Sequence, residues 1–264
     1  MKVTVIGAGN MGGALAHGWL KKGEIELTLA DKNEELLNRF ASLYPQHLQD
    51  GRLHVLKDNR QAIQKADVII LVVKPWLMQE ILVEIKDDID LSRQIIVSDA
   101  AGFDTRKIEQ VLCQSGSYVY AIPNIAAEYA ASMSFVAYNA SVTADQRQAV
   151  SSLYGQCGAV MELNEEQVAA GMMMASCGIA YVMRMVRAMM LAGVEMGFYP
   201  QQAQQIAQQT MAGAVSVLQE SGLHPEAAID KVTTPKGVTI KGLNEMDMAG
   251  FNAAVIRALK AGLQ

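Results

Sequence analysis

The residues best placed to do chemistry near the start of the chain are glycines. Gly7, Gly9 and Gly12 sit in the run Gly7-Ala8-Gly9-Asn10-Met11-Gly12, directly after the apolar stretch 2–6 and before a helical pattern that reaches Leu20. A second apolar stretch, 25–30, ends on Asp31, nineteen residues after Gly12. Strand, glycine-rich turn, helix, strand and terminal acid follow in the order of a dinucleotide-binding unit. Gly7 lets the chain turn sharply off its strand, and Gly9 lets backbone approach a pyrophosphate lodged on the helix N-terminus. Gly12 lets the helix lie close on the sheet. A glycine-rich strand–helix turn without a ligand is the competing reading, but the flanking strand, helix and acid favour a nicotinamide or flavin dinucleotide.

The elements that must position this turn repeat along the first part of the chain. Helical spacing is expected over 33–44, 59–65, 77–85, 105–114 and 144–154, with 45–52 turn-like. Strands are expected over 53–56, 68–73, 94–98, 118–122, 133–139 and 160–163. The run 68–73 is unbroken Val, Ile and Leu, as in a strand buried on both faces. Such alternation predicts a Rossmann-type doubly wound, mainly parallel sheet over residues 1–163. From Glu165 onward no strand is expected. Residues 167–197 read as one long apolar helix, or two joined near Gly178, and further helices follow over 202–219 and 241–263. Residues 164–264 are therefore expected to form an all-helical dimerisation and substrate-binding domain.

Composition narrows the partners. The formal charge of −5 over 264 residues argues against a nucleic-acid or anionic-membrane surface. Cys113, Cys157 and Cys177 are widely spaced and odd in number, which fits reduced thiols in a cytoplasmic protein, and the N-terminus reads as a strand and not a signal peptide. Residues 168–183 carry no charge, but a membrane span needs about 20 apolar residues and Arg184 and Arg187 interrupt the continuation. With eight methionines over 167–197, the helix could be an adaptable groove. A second subunit covering a helix that is apolar nearly all round is the favoured reading, so a homodimer through the C-terminal helices is expected.

The loops at the carboxyl ends of the expected strands are 7–12, 31–33, 73–75, 99–102 and 123–124, where an open α/β sheet places its ligands. A second stretch, Thr233-Thr234-Pro235-Lys236-Gly237-Val238-Thr239, leads into a helix expected to start near Thr239. Free helical amides, hydroxyls and a lysine make a carboxylate cradle. An ordinary threonine N-cap accounts for the same residues, and on composition alone that simpler account is favoured. His17, His47, His54 and His224 are not paired with acids at useful spacing, and no metal-ligand set is apparent. Reducing a ketone demands a proton donor, whereas hydride transfer to a protonated imine gives the amine directly. The helical half has no lysine before Lys231, so its long helix offers no lysine donor.

With these motifs in place, the chain resembles the pyrroline-5-carboxylate reductase family over nearly its whole length. The resemblance rests on VIGAGNMGGAL (5–15), Asn59, ADVIILVVKP (66–75), AAG (100–102), Pro123-Asn124, SCGIAY (176–181) and the stretch from ESGLHP to VTTPKGVTI (220–240). It implies NADPH or NADH held by Gly7, Ala8, Gly9, Asn10, Met11, Gly12, Asn59, Val72, Val73, Lys74, Pro75 and Ala100. It implies a substrate carboxylate and imine held by Thr234, Gly237, Val238 and Thr239, with the Thr239 hydroxyl orienting or protonating the imine nitrogen. The implied activity is reduction of 1-pyrroline-5-carboxylate to L-proline by an intertwined helical dimer, often assembled further. Another small imine or a β-hydroxyacid as substrate, and a non-catalytic NAD(P)-binding sensor, are the alternatives. Ile125-Ala126, Ser176-Cys177-Gly178-Ile179 and Lys236 depart from the family's usual Thr-Pro, Gly-Ser-Gly-Pro and Gly. Asp31-Lys32 also stands where the family often has a small polar residue and arginine. An Asp there suits a ribose 2′-hydroxyl and hence NADH, with Lys32 a partial offset.

Overall fold

A computed structural model describes residues 1–23 and 25–263. Eight strands form one sheet: β1 (Lys2–Ile6), β2 (Glu26–Ala30), β3 (Leu53–Leu56), β4 (Val68–Leu71), β5 (Ile95–Ser98), β6 (Ser117–Ile122), β7 (Ser132–Tyr138) and β8 (Gly158–Glu162). Their order is β3-β2-β1-β4-β5-β6-β7-β8. The first six run parallel, while β7 pairs antiparallel with β6 and parallel with β8. The chain reverses between β1 and β4, at the switch point where open α/β sheets receive ligands. Register sharpens this: Ile6 lies opposite both Ala30 and Leu71, and Leu71 opposite Ser98. The turns after β1, β2, β4 and β5 therefore emerge side by side.

Helices cover both faces. On one, α1 (Asn10–Lys22), α2 (Glu34–Leu43) and α7 (Ala144–Gly155) share a core with the sheet. Trp19 is its largest fully buried side chain, and its indole N–H donates to Leu153 O at 2.8 Å, which satisfies its one polar atom. On the other face α4 (Asn59–Ile63), α5 (Met78–Ile85) and α6 (Thr105–Leu112) pack through Ile63, Leu82, Ile85 and Ile108. The stretch expected to be turn-like contains α3 (Pro45–Gln49), one short helix that opens on a proline. Proline lacks the amide that the first helical turn leaves unpaired, so it starts a helix as readily as it ends one. β4 also stops two residues short of the expected end: Val72 N–H still donates to Ile6 O at 2.9 Å, but Val72 O and the Val73 side chain lie against Gly7 of the first turn.

The chain divides into two compact units, Met1–Ser176 and Cys177–Gln264. The first contains α8 (Glu165–Met172), so the helix that follows the last strand belongs with the sheet. A π-helical segment, Met173–Cys177, joins α8 to α9 (Gly178–Glu195), and the whole helix Glu165–Glu195 is long and apolar enough to cross a membrane. The second unit adds α10 (Pro200–Ser221), α11 (Pro225–Lys231), α12 (Val238–Met248) and α13 (Phe251–Ala261), with no strand among the described residues. Gly222 takes the left-handed conformation that closes α10, its N–H donating to Leu218 O.

Candidate active site

In the sheet unit the glycine turn has the geometry that its sequence asks for. Gly7 has φ +112°, and a Cβ there would lie 2.4 Å from Val72 O. A Cβ on Gly12 would lie 1.9 Å from Gly7 O, so α1 rests directly on the turn. Gly9 is the N-cap of α1, with no side-chain capping bond and nothing within 4 Å of its Cβ direction. Unpaired amides at a helix N-terminus, facing open space, suit a pyrophosphate. Asp31, at the end of β2, is held by two backbone donors: Ala8 N–H to Oδ2 and Asn33 N–H to Oδ1, both at 2.8 Å.

A cavity of about 200 Å³ opens beside this turn. Ile6, Val73, Leu77 and Ile81 give it apolar walls, and Asp31 and Asn59 supply polar groups. Asn59 is 2% exposed. Its Nδ2 donates to both carboxylate oxygens of Glu84 at 3.3 Å, and its Oδ1 has no partner among the described residues. A buried acceptor left bare costs about 1–3 kcal/mol, so a hydroxyl or amino donor from a ligand is the natural complement. The cradle, the fixed acid and this unpaired acceptor fit an adenine dinucleotide.

The other candidate residues lie along the same edge. Val72 and Val73 are half-buried, Lys74 and Pro75 are exposed, and Ala100 is buried at the end of β5. Asn10 is exposed and Met11 half-buried at the start of α1. Asn124 is occupied structurally. Its Oδ1 accepts from Ala126 N–H, and its Nδ2 donates to Ala175 O. Ser176 meanwhile donates to Pro123 O at 2.8 Å, so the π-helical segment is tied to the end of β6.

Glu80 and Glu84, and the pair Asp99–Tyr154, were not expected from sequence. Asp99 Oδ1 accepts from the Tyr154 hydroxyl at 2.6 Å, whereas its Oδ2 is enclosed without a partner among the described residues. Burial pushes this carboxyl up to about 8, against the lowering effect of the tyrosine. The only advance signal for the glutamates is their i, i+4 spacing after a buried strand; Asp99 had none beyond its place at a strand end. The histidines lie away from the glycine turn's cavity. His17 Nδ1 lies 2.7 Å from the Tyr44 hydroxyl, His47 Nε2 lies 3.2 Å from Leu20 O, and His224 caps α11. His54, against the expectation from sequence, has its Nε2 3.5 Å from Glu26 Oε1 across neighbouring strands. Among the described residues no group of histidines, cysteines and acids could hold a metal.

The substrate-loop candidates lie in the helical unit. Gly237 N–H donates to Thr234 O at 2.8 Å, closing a tight turn that holds Lys236 at φ +64°. Gly237 is the N-cap of α12, and no side chain caps it. The threonine-capping account of these residues therefore fails, and the first amides of α12 stay free beside exposed Thr234, Val238 and Thr239.

Comparison with known proteins assigns the two ends of the chain separately and the whole chain jointly. Residues 165–264 match "Pyrroline-5-carboxylate reductase dimerisation", and residues 2–102 match "NADP oxidoreductase coenzyme F420-dependent". A pyrroline-5-carboxylate reductase of Aquifex aeolicus is 31% identical over 98% of this chain and 94% of its own length. The chain belongs to the pyrroline-5-carboxylate reductase family. Pyrroline-5-carboxylate reductase 1 of Dictyostelium discoideum is also 31% identical over 97% of the chain, which spans 48% of that longer protein. A crystal structure of the Plasmodium falciparum pyrroline carboxylate reductase, with NADP bound, superposes with TM-score 0.88 at 23% identity, covering 99% of this chain and 95% of that one. The chain is thus an NAD(P)-dependent oxidoreductase with a Rossmann-type domain and a C-terminal dimerisation domain.

Proposed function

We propose that the chain reduces 1-pyrroline-5-carboxylate to L-proline, the last step of proline biosynthesis, with residues 1–163 binding the dinucleotide and 164–264 binding substrate and a second subunit. The bound nicotinamide cofactor supplies a hydride to the imine carbon. The free amides at the start of α12, with the Thr234 hydroxyl and the backbone of Gly237 and Val238, hold the ring's carboxylate. The Thr239 hydroxyl orients the imine nitrogen, its oxygen accepting from the N–H of the protonated imine. Gly7 to Gly12 seat the pyrophosphate, Asp31 and Asn59 the adenosine end, and Val72 to Pro75 with Ala100 the remainder. Positioning and fixed dipoles supply most of the acceleration, since a protonated imine needs no strong acid–base pair. The observation that carries this reading is the N-terminus of α12, capped by no side chain and flanked in sequence by the exposed Thr234 and Thr239. The reading extends to a cytoplasmic enzyme that does not span a membrane, its long apolar helix covered by a second copy, with dimers assembling further.

The test is oxidation of NADH or NADPH on adding the cyclic imine. Thr239→Ala is expected to lower turnover by about a hundredfold while cofactor affinity holds. A folded protein that oxidises neither cofactor with this substrate would end the proposal.

A further inference from the structure

Around Asp31 the charges and donors are set against a phosphorylated ribose. Lys32 is the nearest cation to the acid in sequence, but its Nζ lies 3.5 Å from Glu80 and 3.6 Å from Glu84. Glu84 first, and Glu80 after it, hold the ammonium above its ordinary value, so it stays charged and engaged. Such exposed pairs are individually weak. What they decide is the local balance, in which Asp31, Glu80 and Glu84 give three carboxylates against one ammonium. Hydrogen bonding points the same way. The amide nitrogen of Asn59 must face Glu84, because its oxygen there would meet a carboxylate, and this leaves Oδ1 an enclosed acceptor on a residue that lines the cavity. Asp31, fixed by Ala8 and Asn33, is likewise an acceptor.

A cavity edge made of acceptors and net negative charge complements a group with protons to donate. A ribose 2′-hydroxyl has one. A 2′-phosphate is mostly a dianion at neutral pH, brings only acceptors, and must compete with Glu80 and Glu84 for Lys32. We infer that the adenosine pocket selects the unphosphorylated ribose, so that NADH is the preferred reductant, and that Glu80 and Glu84 enforce this by holding Lys32. The inference rests on the dinucleotide reading of the glycine turn.

Calorimetric titration of the full chain with NAD⁺ and NADP⁺ tests it without catalysis. NAD⁺ is expected to bind on the order of tenfold tighter or better, with the gap narrowing as salt screens the carboxylates. The double variant Glu80→Gln/Glu84→Gln keeps an acceptor for Asn59 yet frees Lys32, and is expected to raise NADP⁺ affinity severalfold while sparing NAD⁺. NADP⁺ binding to the unaltered chain as tightly as NAD⁺ would overturn the inference while leaving the dinucleotide site intact. Binding of neither would overturn the site reading and the inference together.

Discussion

Single atoms decide much of this molecule. A methyl group at Gly12 would press on the carbonyl of Gly7, which is backbone and cannot swing aside. Gly12→Ala should therefore lift α1 off the turn, and its expected effect is loss of dinucleotide binding by calorimetry together with a lower melting temperature. Unchanged affinity in that variant would contradict the geometry described. Asp99 makes a different kind of prediction. Its carboxyl stays protonated in the folded chain up to about pH 8, whereas in the unfolded chain it ionises near 4. Between those values the unfolded state holds fewer protons, so stability falls as pH rises, by up to about 1.4 kcal/mol per unit from this one group, and levels off above about 8. Asp99→Asn keeps an acceptor for Tyr154 and removes the charge. It is expected to flatten that decline and raise the melting temperature at pH 8; an unaltered pH profile would show that the carboxyl is not titrating this way. The glycines were legible in the sequence because each requires a conformation or an approach that other residues cannot supply. Asp99, Glu80 and Glu84 were not, because the partners that give them meaning lie across the sheet or on another helix.

Elements were legible where one periodicity dominated. The run 68–73 reads as a strand buried on both faces, yet the strand ends at Leu71: Val72 keeps one bond, N–H to Ile6 O, while its carbonyl and the Val73 side chain sit against Gly7. The short helix Pro45–Gln49 was missed because proline and polar residues suggest a turn. The long helix was legible in extent but not in detail: the π-helical segment at Met173–Cys177 has no propensity signature, and its anchors to Pro123 and Asn124 come from a distant strand end. Where a terminus signal is explicit, it has a calculable effect. Thr143 accepts from Gln146 N–H, and Gln146 Oε1 in turn accepts from Thr143 N–H, which closes both ends of a capping box on α7. Thr143→Ala is expected to cost about 1 kcal/mol in urea denaturation and to leave dinucleotide affinity unchanged. A cost near zero would mean that water replaces the cap without penalty.

At the scale of the whole molecule the two units are unlike in what they bury. The sheet unit encloses large side chains on both faces, while the helical unit, among its described residues, buries only Gly193, Ala203 and Ala207. Val182, Met183, Leu191, Val217 and Ile256 all remain at least half exposed in a single chain. Three small residues cannot offset the conformational entropy of fixing five helices. This half is therefore expected to need a second copy to fold stably, in keeping with its match to a dimerisation domain. Two outcomes follow. The melting temperature should rise with protein concentration, because an obligate dimer gains stability by mass action. Leu191→Arg replaces a side chain 56% exposed in one chain, so in a monomer it should alter stability by less than about 0.5 kcal/mol. Across a subunit interface the same arginine would be buried without a partner, and sedimentation should show dissociation with loss of helical signal. A chain that sediments as a monomer at micromolar concentration and melts at one temperature throughout would leave these apolar faces without an occupant and the dimer reading without support.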